Sequence, residues 1–306
     1  MPFTRRRYTT YRRRRPFSRR SRPFRSVRRS AGKMRYYRRT ARRSRKSLLN
    51  VTSKKKRDTM TSWTDITEGN PTSDVFNTGS AVMGGATGSI FQTVWCPTAR
   101  PAEDDTFTKG AAIDRATRTA TRCYMRGVKE RNLLQVRGGA SWLWRRIIFR
   151  TKGDTINLGN VDPSTSEIAR QTSQGMMRLM TIDSATFDRT SNQVFRGTFG
   201  TDYTSVTNAQ TNPERVTIMY DKTRTINGGN SVGKTLQVNL WHPMNKSIVY
   251  EDRESAGASN PSMFSVEGPP GMGDVYIYDI FEAGVGATST DALYWDPQAT
   301  LYWHER

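Results

Sequence analysis

Histidine and cysteine are scarce, with two of each among 306 residues. Neither His242 nor His304 lies near a cysteine at zinc-ligand spacing, so no metal centre is expected. Cys96 and Cys123 cannot build a disulfide framework, which points to a reducing compartment. No apolar run approaches the ~18 residues a bilayer-crossing helix needs, so no membrane insertion is expected. The first residues lack the apolar core of a secretory signal, and the sequons at Asn50 and Asn245 are therefore expected to stay unmodified. Acidic residues supply the most telling absence. None precedes Asp58, whereas residues 1–57 hold 25 of the 49 Lys and Arg. The remaining 24 basic residues face 27 acidic ones, so a near-neutral body of 58–306 carries a strongly basic arm.

Within the arm, basic runs fall at Arg5, Arg6 and Arg7; Arg12, Arg13, Arg14 and Arg15; Arg19 and Arg20; Arg28 and Arg29; Arg38 and Arg39; and Arg42 and Arg43. Like charges at this density repel, and few aliphatic side chains offset them, so 1–57 is expected to be disordered when free. Arginine far outnumbers lysine there, and guanidinium forks suit phosphate oxygens. Aromatics such as Tyr8, Tyr11, Phe17, Phe24, Tyr36 and Tyr37 are interleaved and suited to stacking on unpaired bases. These runs are the expected nucleic-acid-binding residues, with binding that tolerates any sequence and weakens with salt. Two clusters, Arg12 to Arg15 and Lys54, Lys55, Lys56 and Arg57, also read as nuclear-localisation patches, which implies a nuclear import receptor as a partner.

Beyond Asp58 the texture becomes short β-type runs separated by Gly, Pro, Asn, Asp and Ser. Strands are expected at 89–96, 121–136, 142–151, 176–182, 194–199, 216–226, 235–241, 249–252, 274–281 and 292–303. Tyr276, Tyr278 and Ile280 alternate with Val275 and Ile277, as in a strand buried on both faces. One short helix is expected within 164–175. Eight to ten strands with long polar connections predict an all-β chain, a single jelly-roll antiparallel β-sandwich behind the disordered basic arm.

The segment 228–235, from Gly228 to Thr235, fits the phosphate-loop pattern GxxxxGK[ST]. That chemistry needs a helix after the loop, whose amides cradle phosphate. The residues after Thr235 instead alternate with period two and are expected to stop at Pro243, so a glycine-rich hairpin loop is the expected structure. Glu103-Asp104-Asp105 and Glu251-Asp252 read as turn acids. No nucleophile elbow or paired carboxylate stands out, so no catalytic residue and no cofactor is expected. Trp142, Trp144, Tyr294, Trp295, Tyr302 and Trp303 read as core or subunit contacts, and one of Arg145 and Arg146 is expected to face outward or toward a partner.

Four segments, LNVTSKKKRDTM at 49–60, CYMRGVKE at 123–130, WLWRRIIF at 142–149 and WHPMNKSIVY at 241–250, resemble the capsid proteins of genomoviruses (gemycircularvirus type). The resemblance runs through the chain in order: basic arm, junction, β-body and aromatic end. It implies a jelly-roll coat protein of a virus with circular single-stranded DNA, assembling as an icosahedral shell of sixty copies with the arms inside. Virion and host nucleus are the implied locations. Sixty arms would bring about 1,500 positive charges, enough to neutralise roughly 1.5 kilobases of single strand. A cellular architectural protein with a basic tail, and more remotely a nucleotide hydrolase built on 228–235, are the alternative readings.

Overall fold

Alternating and apolar runs, with one basic segment ahead of them, become eight principal strands: β1 (Lys54–Met60), β2 (Ile90–Trp95), β3 (Arg122–Arg137), β4 (Trp142–Thr151), β5 (Thr217–Ile226), β6 (Lys234–Val249), β7 (Asp274–Ala283) and β8 (Ala292–Glu305). The structure, a computed structural model, describes residues 45–68, 75–153, 155–157, 162–229 and 233–306. The expected disorder of residues 1–44 lies outside them.

One sheet has the order β1-β8-β3-β6 and the other β5-β4-β7-β2, all antiparallel. Every connection between consecutive principal strands except β4 to β5 changes sheet, which is the jelly-roll winding of a β-sandwich. Short strand Ala81–Gly84 pairs with the first part of β8, at Ala292 to Trp295, and β1 with the last, at Ala299 to Glu305. Pro297 falls in the gap between these two flanking strands, where its missing N–H interrupts neither ladder.

Inward-facing Met125, Val128, Leu134, Ile148, Val275, Ile277, Leu301 and Trp303 fill the space between the sheets. On β7 the outer face is buried as well. Tyr278 packs against Phe195, with ring centroids 6.1 Å apart, and its hydroxyl lies 3.3 Å from Ser191 Oγ of helix α2 (Ser184–Val194). Asp183 caps that helix by accepting from the Ala185 and Thr186 amides.

Four expectations are corrected. The segment 164–175 forms turns and a two-residue ladder of Gln171–Thr172 with Gly175–Met176, and the helix lies instead at α2. Pro243 does not end a strand, because β6 is an edge strand, where a proline costs no inter-strand bond on its open side; β6 continues to Val249 after a register shift, and of the separate strand expected at 249–252 only the isolated bridge of Tyr250 to Ser265 lies beyond it. Of the strand expected at 194–199, Val194 ends α2 and the rest forms only isolated bridges, at Phe195 and Phe199. The arm–body boundary also moves: a helix spans Arg45–Thr52, and the cluster Lys54 to Arg57 is the start of β1.

Candidate nucleic-acid interface

Residues on one face of β3 repeat a simple pattern. Arg122, Tyr124 and Arg126 point away from the core, and Cys123 and Met125 point into it. Gly127 then shifts the phase by one, so that Lys129 and Arg131 face outward while Val128, Glu130 and Asn132 face inward. This is a β-bulge, with φ of +150° at Gly127, where a Cβ would lie 2.4 Å from the His242 carbonyl oxygen. Without the bulge, Lys129 and Arg131 would sit in the core.

Neighbouring strands extend the same surface. Lys55 and Arg57 of β1 face outward beside His304 and Tyr302 of β8, and Trp241 of β6 pairs with Lys129. Lys55, Arg57, Arg122, Arg126, Lys129 and Arg131 are all exposed, and among the described residues none of them forms an ion pair with a carboxylate. Arg126 donates to Asn245 Oδ1 at 2.6 Å. His304, half-buried, is held below the ordinary imidazole pKa by burial and then by Arg126 and Lys55, as expected beneath a positive surface. Beside Arg131 the face dips into a depression of about 520 Å³, lined in part by Gln237, Gln298, Ser62 and Asp296. Asp296 is the acid of this region, and it accepts from Ser62 Oγ at 2.8 Å.

The sequence-derived site residues divide by position. Arg5, Arg6, Arg7, Arg12, Arg13, Arg14, Arg15, Arg19, Arg20, Arg28, Arg29, Arg38, Arg39, Arg42 and Arg43 lie outside the described residues. Of the junction cluster, Lys54, Lys55 and Arg57 are exposed, but Lys56 is not. Its Nζ lies 3.1 Å from Glu305 Oε2 and donates to Thr117 O at 2.7 Å and to Thr119 Oγ1 at 3.0 Å, with both charged side chains at most 2% exposed. An import signal read as an extended basic strand is therefore not presented at Lys54 to Arg57 in the folded chain.

Arg145 and Arg146 correct the expectation of an outward-facing arginine. Arg145 bonds Asp221 through two nitrogens and the carbonyls of Val206 and Ala209. Arg146 reaches between the sheets, holds Asp279 at 2.7 and 2.9 Å and also donates to Glu130. Arg178 bonds the same two acids at 3.0 Å each, so two cations and two anions close a neutral, fully buried quartet. Arg178 lies over the Trp95 and Trp295 rings, and Arg146 over Trp144. Burial pushes Glu130 up, but Arg146 and Arg178 outweigh it and leave its carboxyl below the ordinary range. Beside the quartet, burial and then Arg146 press His242 down to about 4, and its Nε2 has no hydrogen-bond partner.

The segment 228–235 does not lead into a phosphate-binding helix. Lys234 opens β6 instead, so no N-terminal amides follow it to converge on an anion. Nor is the segment a hairpin: β5 belongs to one sheet and β6 to the other. Of the turn acids, Asp104 accepts from the Thr106 and Thr108 amides, and Asp252 pairs with Arg118. Cys96 and Cys123 are buried and unbridged, with burial pushing both thiols up.

Sequence reasoning missed Arg122, Arg126, Lys129, Arg131 and Trp241 as site residues. The signal was present as an outward alternation of Arg122, Tyr124 and Arg126, slipped by one at Gly127 and resumed at Lys129 and Arg131. Compared with protein-family models and with curated proteins, the chain matches none.

Proposed function

We propose that the chain is the coat protein of a small virus with a single-stranded DNA genome, assembling through its jelly-roll body into a closed icosahedral shell. The basic arm and the outer face of the β1-β8-β3-β6 sheet together neutralise the enclosed strand. One observation carries this reading: the uncompensated cations of that face lie on the sheet whose edge strand, β1, follows the most basic part of the sequence through the short helix Arg45–Thr52. Charge neutralisation without base reading suits a polymer of any sequence. No step of covalent chemistry belongs to this function. Nuclear import before assembly falls to Arg12 to Arg15, since Lys56 is buried. The resemblance at 49–60, 123–130, 142–149 and 241–250 supports the choice of a DNA virus.

The test is negative-stain electron microscopy of the purified full-length protein without nuclease treatment. Uniform closed particles containing single-stranded nucleic acid are expected. Small oligomers that persist after single-stranded DNA is added would instead favour a tailed architectural protein.

A further inference from the structure

Of the seven tryptophans, Trp95, Trp142, Trp144, Trp295 and Trp303 are buried and Trp63 is half-buried. Trp241 is 48% exposed. Its position is nonetheless built. The indole lies against the bulge at Gly127, where a Cβ would come within 2.9 Å of the ring, and meets Tyr302 edge-on with centroids 5.9 Å apart. A side chain at position 127 would displace the ring, so the glycine serves the indole as well as the bulge.

Around this pair the cations stand in register. Lys129 is paired with Trp241 on one side and with Thr300 on the other, and Arg57 is paired with Tyr302. Arg131 lies one outward row further along β3, about 7 Å on, at the edge of the polar depression. A rigid aromatic face bordered by cations with no carboxylate partner matches one chemistry, a nucleobase attached to phosphates. A base inside a duplex already has both faces stacked on its neighbours and cannot lie on the indole.

We propose that Trp241, backed by Gly127 and Tyr302, is a stacking platform for one unpaired base, with Lys129, Arg57 and Arg131 holding the adjoining phosphates. This site makes the sheet face selective for single over double strand, a property that charge alone does not confer. The inference rests on the proposed nucleic-acid contact of this face and does not require shell assembly.

The test uses the full chain and an oligodeoxythymidine carrying iodouracil, photocrosslinked and mapped by peptide mass spectrometry. An adduct on Trp241 or Tyr302 is expected. Trp241→Ala should lose that adduct and weaken single-strand binding by about 5- to 150-fold, with the salt slope unchanged because no charge is removed. Trp241→Phe keeps a ring and should retain most of the affinity, whereas Lys129→Ala should flatten the slope by about one contact. Adducts confined to residues 1–44, with Trp241→Ala binding as the parent does, would overturn the proposal. So would a Trp241→Ala chain that fails to fold while Trp241→Phe folds but gives no adduct at Tyr302. Closed particles without the adduct leave the coat-protein reading standing and this one fallen. The adduct without particles upholds the stacking platform and removes the shell.

Discussion

Arg146, Arg178, Glu130 and Asp279 occupy the middle of the sandwich with no solvent contact, and removing any one leaves an uncompensated buried charge. Titration of the groups around them has opposing signs. His242 is depressed to about 4, so the unfolded chain takes up its proton first, and stability is lost as pH falls from the ordinary imidazole value toward 4. Asp274 goes the other way. Burial raises it to about 6 despite bonds from Ser265 and Thr98, so the folded chain takes up the proton first and gains stability as pH falls through 6. Each effect amounts to about 3 kcal/mol at most. They offset one another in the parent, and His242→Gln should therefore gain stability between pH 7 and pH 5, while Asp274→Asn loses it. Thermal unfolding at the two pH values reads this directly, and parallel behaviour of both variants would refute it. None of this was legible beforehand. Partners such as Arg146 and Glu130 are brought together by the sheet packing, and the sequence offered His242 only as a histidine remote from any cysteine.

Elements fared better where packing follows a local pattern. β4 was legible to the residue, and β2, β3, β5, β7 and β8 to within a few, because each alternates or runs apolar through its length. β1 was not, since Lys-Lys-Lys-Arg-Asp-Thr-Met carries no apolar alternation; Lys56 and Met60 face inward, and Lys56 finds its counter-ion there in Glu305, two residues along β8 from its register partner Trp303. α2 was missed for a related reason: Thr, Ser, Asn and Val are weak helix formers, and its cap at Asp183 was the available signal. The position of β1 has a practical outcome. A chain starting at Arg45 should fold with a melting temperature near that of the full chain. One starting at Asp58 loses Lys54 to Arg57 and leaves Glu305 buried without its cation, at a cost of about 3–5 kcal/mol. Equal thermal stability of the two truncations would show that β1 contributes little.

For the whole molecule, strand number, long connections and charge segregation were enough to foretell a jelly roll, because few arrangements bury eight amphipathic strands on one another. The candidate interface was only half legible, since a run of basic residues is visible in one dimension and a sheet face is not. Its share in binding is measurable. The first 44 residues hold 19 Lys and Arg, and the sheet face has the six exposed cations named above that form no ion pair with a described carboxylate. Single-strand binding by the full chain should therefore fall far more steeply with salt than binding by the chain from Arg45. The latter should keep a log–log slope of about −4 at most, at roughly −0.7 for each phosphate contact. Identical slopes would mean that the arm takes no part.

The junction is also a mechanical coupling. Any tension on the sequence before Arg45 enters the sandwich through β1, whose seven rungs on β8 run from Lys54–Glu305 to Met60–Ala299. Drawn along the strand, that load is shared in shear by all seven rungs at once; drawn away from the sheet, it peels them singly and meets the Lys56–Glu305 clasp at the third. On the coat-protein proposal, nucleic acid tightening on the arms would thus pull on each copy through β1 at β8, beside the buried Lys56–Glu305 pair.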